Sequence, residues 1–224
     1  MTARVFFDAI ARRYDRVYAL SGESSRARMC RVLEVLEGRR RVLSLGIGTG
    51  RELPMLLDAG HDVEGIDVSS EMIAICNRRS RTVPIVCGDF YERLPFPDGA
   101  FDAVIALHGT LAHPPSNDAL AALAREIARV AGFFVAEVPA AEGLRSAVND
   151  SGTITLTPDG RFTHHDAVAN ATIEGIALTA EGWRAALAPL VVEVEPLGAA
   201  EHRLVATLSP REPSRESARR GPRS

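Results

Sequence analysis

The sequence predicts an α/β protein organised around a doubly wound, mostly parallel sheet. Three observations predict it. Short apolar, strand-like runs alternate with helical stretches through most of the 224 residues. The run 42–50 reads as a buried strand entering a glycine-rich turn, and one helix length later 63–67 reads as a strand that stops on Asp67. The last two strand-like runs, 191–194 and 203–207, are joined without a helix, so the final strand is expected to run antiparallel.

Residues 4–20 carry Phe6, Ile10, Tyr14 and Val17 on one helical face and predict a single helix. Ser21-Gly22 breaks the pattern, and a second helix is expected over 24–36, closed by Gly38 and the cluster Arg39-Arg40-Arg41. The first strand follows at 42–45. Thr49 and Glu52 have the spacing of a capping box for the next helix. Pro54 falls near its first turn, where proline costs least, and Gly60 is a C-terminal stop. The second strand is 62–66; Ser69 then caps a third helix with Glu71 in its first turn. Strands at 84–87 and 103–107 follow, the latter apolar enough for the middle of a parallel sheet. A helix over 117–130 leads into a strand at 133–138, and Thr179 and Glu181 open the last helix.

Two segments stand outside this rhythm. Residues 153–164 alternate across Pro158-Asp159-Gly160 and predict a β-hairpin. From Ser209 onward the chain is rich in proline, serine and arginine, which predicts a disordered tail over 209–224. The expected organisation is one domain over 1–208, with an N-terminal helical lid over 1–38 and a hairpin insert over 150–166.

The glycine turn carries the chemistry. Gly46, Gly48 and Gly50 let the backbone approach a bulky ligand without side-chain collision, and the helix behind them offers free N–H groups. Asp67 stands where the second strand ends, placed to accept hydrogen bonds from ribose hydroxyls. The spacing decides between cofactors. The dinucleotide fingerprint is G-x-G-x-x-G. Here the third glycine comes one residue early, and Arg51 sits where that fingerprint needs glycine.

Composition narrows the function classes. The apolar fraction of 46% and charged fraction of 25% are ordinary for a globular protein, and a net charge of −3 gives no argument for nucleic-acid binding. No apolar run approaches the roughly 18 residues of a membrane span, and the N-terminus lacks a signal-peptide core. Cys30, Cys76 and Cys87 show no close pairing, which fits a reducing cytoplasm and predicts neither a disulfide framework nor a metal site. All 26 Lys+Arg residues are arginine, which removes Schiff-base, lysine-anchored pyridoxal phosphate and Walker phosphate-loop chemistry.

The glycine spacing with Asp67 resembles the class I S-adenosylmethionine-dependent methyltransferases, whose first motif is usually acid-x-G-x-G-x-G. Further segments fall in that family's order over about 14–208. Cys87-Gly88-Asp89-Phe90 resembles the segment after the third strand, where an acid meets the adenine amino group. The run 94–102 resembles the loop into the fourth strand of the small-molecule branch. Phe7-Asp8 and Tyr14-Asp15 resemble that branch's N-terminal helix, whose tyrosine closes over the cofactor. The resemblance implies a Rossmann-like sheet of seven strands, with the antiparallel strand inserted beside its neighbour, and a small cap built from the hairpin. It implies S-adenosyl-L-methionine as cofactor, S-adenosyl-L-homocysteine as product and a small-molecule acceptor. A monomer or homodimer without nucleic-acid or membrane partners is expected.

The resemblance places the three glycines beneath the methionine and ribose, Asp67 on the ribose, Val68 beside the adenine, Asp89 on its amino group and Phe90 against the ring. Tyr14 is expected at the cofactor carboxylate; its aromatic stripe equally suits core packing. Asp89 equally suits a helix cap. Ser44 departs from the family, which usually has an acid there, and Glu52 is a candidate to replace it. His108, which ends the fourth strand, His113 and His164 are candidate contacts to reacting groups, since an imidazole accepts protons near neutral pH. A catechol-type metal site lacks its carboxylate after the fourth strand, where Ala106-Leu107-His108 stands, and Pro114-Pro115 lacks the flanks of the DNA amino-methyltransferase box. Two other readings share the strand–glycine turn–strand–acid layout: a nicotinamide-dependent Rossmann oxidoreductase, and a cofactor-binding protein without turnover.

Overall fold

The computed structural model describes residues 1–18, 22–144, 147–149, 152–157, 159–197 and 201–207. The expected tail over 209–224 lies outside them, as do Ser21 and Pro158 of the predicted breaks.

A seven-stranded sheet forms the centre. In chain order its strands are β1 (Arg41–Leu45), β2 (Asp62–Asp67), β3 (Ile85–Cys87), β4 (Ala103–Ala106), β5 (Phe133–Pro139), β10 (Glu193–Pro196) and β11 (Glu201–Thr207). They lie in the order β10-β11-β5-β4-β1-β2-β3. β1, β2, β3, β4 and β5 pair in parallel, and β11 runs antiparallel between β5 and β10. This is the seven-stranded arrangement expected from the sequence.

Helices cover both faces. α3 (Gly22–Val35), α4 (Leu53–Asp58) and α5 (Ser70–Arg79) lie on one side, α6 (Asn117–Val130) and α7 (Ala180–Ala186) on the other. Alternate strand residues face opposite ways. Ala103, Ile105, Phe133 and Val135 therefore pack with Met29, Val32, Leu36, Leu53 and Leu56, while Val104, Ala106, Phe134 and Ala136 pack with Leu120, Leu123, Ile127 and Trp183. β4 is buried along its whole length because it has a strand on each edge and helices on each face. Trp183 anchors the second core; its indole N–H donates to the Pro139 carbonyl at 2.9 Å.

Local chemistry sets the helix ends. Ser69, Ser116 and Thr179 accept from the amides of Met72, Ala119 and Gly182 and cap α5, α6 and α7. The expected capping box at α4 does not form. Its N-cap is Glu52, with no side-chain cap bond, because the Thr49 hydroxyl donates instead to Asp15 at 2.6 Å. The predicted helix over 4–20 is broken. α1 (Ala3–Ile10) passes through a 3-10 turn, Ala11–Arg13, into the short α2 (Tyr14–Val17).

The predicted hairpin belongs to a larger, four-stranded antiparallel sheet: β6 (Ala147–Asn149), β7 (Gly152–Leu156), β8 (Arg161–Asp166) and β9 (Ala171–Ile176). Ala171 and Ile173 pack against Phe6, Ile10 and Ala11 of the N-terminal segment and Met72 of α5. One apolar cluster thereby joins the helical segment and the accessory sheet at the same end of the main sheet.

Candidate active site

The bend after β1 and the end of β2 form one structural unit. Gly46, Gly48 and Gly50 all have left-handed backbone, with φ of +58°, +57° and +70°. A Cβ at Gly46 would meet the Thr110 side chain at 2.6 Å, and one at Gly50 would meet Cys76 Sγ at 2.4 Å. At Gly48 the nearest atom would be the Gly46 carbonyl oxygen at 3.8 Å. Neighbouring protein therefore demands glycine at 46 and 50, whereas the face of Gly48 is open. Asp67 braces this bend. Its Oδ2 accepts from the Gly48 amide at 2.7 Å and its Oδ1 from the Ser69 amide at 2.8 Å. The residue is only 6% exposed, and burial pushes its carboxyl pKa up against the opposing pull of the backbone amides. Each oxygen keeps a second lone pair. An acid beside an open glycine face is the donor–acceptor set that an adenosyl ribose requires, so these residues fit the implied cofactor.

The N-terminal segment closes over the bend. Asp8 Oδ1 accepts from the Ser69 hydroxyl at 2.6 Å, next to Asp67. Asp15 accepts from the Thr49 hydroxyl and pairs with Arg79, whose Nη1 also donates to the Thr49 carbonyl at 3.1 Å. Arg51 donates to the Tyr18 carbonyl at 2.9 Å, and its guanidinium lies 5.4 Å from the Tyr14 ring centroid. Burial raises the Tyr14 pKa, with Glu52 and Asp67 close enough to add to the shift and Arg51 opposing it. The phenol is thus held as a neutral O–H donor beside the bend.

His108 follows β4 in a left-handed conformation (φ 56°), unusual for a residue with a Cβ. Carboxylates hold it there. Its Nε2 lies 2.6 Å from Glu52 Oε1, its backbone amide donates to Glu137 Oε2 at 3.3 Å, and its Nδ1 lies 3.9 Å from that oxygen. His108 and Arg51 hold the Glu52 carboxyl below its usual range against burial. Glu52 is therefore ionised, and His108 Nε2 must carry the proton it donates. Glu137, on β5, is 1% exposed and is matched by Arg28 of α3, whose Nη2 donates at 2.8 Å and whose Nη1 reaches Glu201 at 2.8 Å. Arg203 of β11 stands opposite Glu137 in the strand register.

His113 and His164 sit elsewhere, where the N-terminal segment meets the accessory sheet. The His113 ring lies edge-on between Phe7 and Phe162, at centroid distances of 5.9 and 5.8 Å. Its Nδ1 is 2.8 Å from the Glu174 carbonyl oxygen. A carbonyl only accepts, so Nδ1 carries the hydrogen and the lone pair is on Nε2. Burial depresses this imidazole to a pKa of about 4, with nearby His164 adding to the shift. His164 stacks on Phe6, and its Nε2 is 3.2 Å from the Tyr18 hydroxyl. Burial lowers its pKa too. Beside it, buried Asp166 pairs with Arg13 and accepts from the Tyr18 hydroxyl at 3.4 Å. Tyr14 and Tyr18 are 4.9 Å apart, centroid to centroid, and connect the two histidine regions. The three candidate histidines are therefore not one cluster.

The remaining candidates divide. Val68 is half-buried next to Asp67. Asp89 is exposed; its Oδ1 accepts from the Tyr91 amide at 2.9 Å in a turn, no helix starts there to be capped, and among the described residues Oδ2 makes no hydrogen bond. Phe90 is 8% exposed and packs into the core beside Tyr91, 4.7 Å between centroids. The ion pairs of Arg28 with Glu137 and of Arg13 with Asp166 were not foreseen. Their partners lie more than a hundred residues apart in the chain, and no local pattern announces them. Among the described residues no three His, Cys, Asp or Glu side chains group as metal ligands.

Similarity to known proteins agrees with this geometry. Residues 42–132 match a family described as a methyltransferase domain. A demethylmenaquinone methyltransferase from Beutenbergia cavernae is 39% identical over 132 residues, covering 58% of this chain and 54% of that protein. The chain spans about half the length of the curated relatives it matches. Among solved structures, the sugar N-methyltransferase KedS8 from Streptoalloteichus sp. superimposes with a TM-score of 0.62 at 22% identity, covering 86% of this chain and 90% of that one. The DhpI–SAH complex gives 0.67 at 19% identity, covering 92% and 95%. At these identities the structural likeness concerns the fold. The sheet order and the glycine–aspartate unit agree with the methyltransferase domain that residues 42–132 match.

Proposed function

We propose that this chain transfers a methyl group from S-adenosyl-L-methionine to a small acceptor that carries a ring or a largely apolar body. The observation that carries this reading is the Asp67 carboxylate bonded to the Gly48 amide beneath an open glycine face, with Tyr14 and Arg51 closing over it. Similarity to a demethylmenaquinone methyltransferase and to a sugar N-methyltransferase supports a small acceptor.

When bound, the cofactor supplies a methyl group already activated on a sulfonium. The chain then has to orient the partners and exclude water, and orientation alone is worth roughly 7–11 kcal/mol. Asp67 accepts from the ribose hydroxyls, Gly46, Gly48 and Gly50 present backbone to the cofactor, Val68 borders the adenine, and Asp89 Oδ2 accepts from its amino group. Phe90 supports that wall from the core. Tyr14 donates to the cofactor carboxylate. The aromatic surface of Phe7, Tyr18, Phe162, His113 and His164 receives the acceptor. His113 Nε2, unprotonated at neutral pH, accepts a hydrogen bond from the acceptor's nucleophilic group; His164 binds its far side. His108, with Nε2 committed to Glu52, holds that carboxylate in place instead of acting as base through that atom. A monomer or homodimer without membrane partners completes the reading; the three free cysteines support a cytoplasmic location and the net charge of −3 supports the lack of a nucleic-acid partner.

Incubation with methyl-labelled S-adenosyl-L-methionine and a panel of phenols, quinols, amino sugars and carboxylic acids tests it by mass spectrometry. Transfer to at least one acceptor is expected, with loss of product in Asp67→Ala. Cofactor binding with no methylated product from any acceptor would favour a binding protein. Thermal stabilisation by NAD(P), with none by S-adenosyl-L-homocysteine, would favour the oxidoreductase.

A further inference from the structure

S-adenosyl-L-methionine carries a primary ammonium on its amino-acid arm, and a buried or half-buried ammonium requires an acceptor, best an ionised one. The end of β1 offers no acid, since Ser44 stands there. Most carboxylates around the bend are engaged on both oxygens. Asp67 is bonded by the Gly48 and Ser69 amides. Asp15 is bonded by Thr49 and Arg79. Glu137 is bonded by Arg28 through both oxygens. Asp8 gives Oδ1 to Ser69 and the Glu71 amide and has Arg4 near Oδ2 at 3.9 Å.

Glu52 differs. Both of its ion-pair partners meet the same oxygen: Arg51 Nε lies 2.8 Å, and His108 Nε2 2.6 Å, from Oε1. Among the described residues Oε2 has no hydrogen-bond partner. The side chain is 15% exposed, and Oε2 is not among the sealed, unpartnered atoms. Tyr14 lies close by, near enough for both Glu52 and Asp67 to raise its pKa. The Arg51 guanidinium and the His108 N–H keep the group ionised and fix its orientation, so the second oxygen is a preset acceptor.

We propose that Glu52 Oε2 is the acceptor for the α-ammonium of the cofactor, so that the acid absent from the end of β1 is supplied from the start of α4. The left-handed His108 is then a positioning residue. Its Nε2–H saturates Oε1 and turns Oε2 toward the amino-acid arm. This rests on the cofactor assignment made above and adds the group that recognises the amine.

Glu52→Gln is the discriminating variant. The amide oxygen can still accept from Arg51 and His108, while the amide NH2 replaces the acceptor with a donor. Calorimetry is run on wild type and variant with two ligands: S-adenosyl-L-homocysteine, which has the ammonium, and methylthioadenosine, which has the same nucleoside and thioether but no amino-acid arm. The variant is expected to bind S-adenosyl-L-homocysteine about 10- to 100-fold more weakly, the range for a charged hydrogen bond, and methylthioadenosine as wild type does. Equal weakening of both ligands would make Glu52 a scaffold residue and overturn the proposal. So would unchanged affinity for both. Failure of wild type to bind either ligand would overturn the cofactor assignment itself, and the proposal with it.

Discussion

His113 shows how the surroundings of a single residue set its tautomer and charge. The Glu174 carbonyl fixes its tautomer, and the phenyl rings around it exclude the charged form. The linkage to stability has a definite sign. The folded-state pKa, about 4, lies below the ordinary 6.5, so between these values the unfolded chain binds more protons. The stability this residue contributes is full above about pH 6.5 and is lost as the pH falls toward 4. His164 shifts in the same direction. In denaturant titrations at pH 7 and pH 5, His113→Gln should therefore lose less stability than wild type on acidification. An equal loss would mean that His113 is not the buried, neutral group described here. This property was not legible in the sequence: Leu111-Ala112-His113 gives the residue, but the carbonyl that defines its tautomer comes from β9, 61 positions away. The placement of Asp67 beside the glycine bend was legible, because the bend and the strand end are both marked locally in the sequence. The capping box at Thr49 was misleading for the opposite reason. A distant acid, Asp15, took the hydroxyl that the local pattern assigned to a helix end.

At the scale of elements, the N-terminal segment is fastened by apolar anchors and by polar contacts. α1 and α2 contribute short helices with Phe6 and Ile10 as their buried anchors, and polar latches at Asp8 and Asp15 fasten them to α5 and the glycine bend. Asp15→Ala removes the acceptor for Thr49 and the partner of Arg79 without touching the main core. Trypsin should then cut at Arg12, Arg13 or Arg16 several-fold faster than in wild type, while the central sheet remains resistant. Identical cleavage rates would show that the apolar anchors alone close the segment. The break at Ala11–Arg13 was hidden, because the apolar spacing continues across it. The accessory sheet was half visible. Pro158-Asp159-Gly160 announced the β7–β8 hairpin, but the β8–β9 connection carries no glycine or proline and uses left-handed Asn170 (φ 48°) instead. The strands of the main sheet were easier to find, since central parallel strands are continuous apolar runs between helices.

For the molecule as a whole, the main sheet carries the core, and the proposed site lies where its parallel strands β1, β2 and β4 end. Trp183 joins α7 to β5 with a fully buried ring and an indole hydrogen bond. Trp183→Ala should cost about 3–5 kcal/mol in urea unfolding, whereas Val191→Ala, at a side chain 84% exposed, should change little. Comparable effects of the two would contradict the placement of the core. The functional account depends on the bend and the acid at its side. Titration calorimetry with S-adenosyl-L-homocysteine, on wild type and on Asp67→Asn, tests it most directly. One saturable site in wild type and affinity weaker by about 100-fold in the variant, with an unchanged circular dichroism spectrum, is the predicted result. Equal affinity in the two proteins, or no binding by wild type, would contradict it.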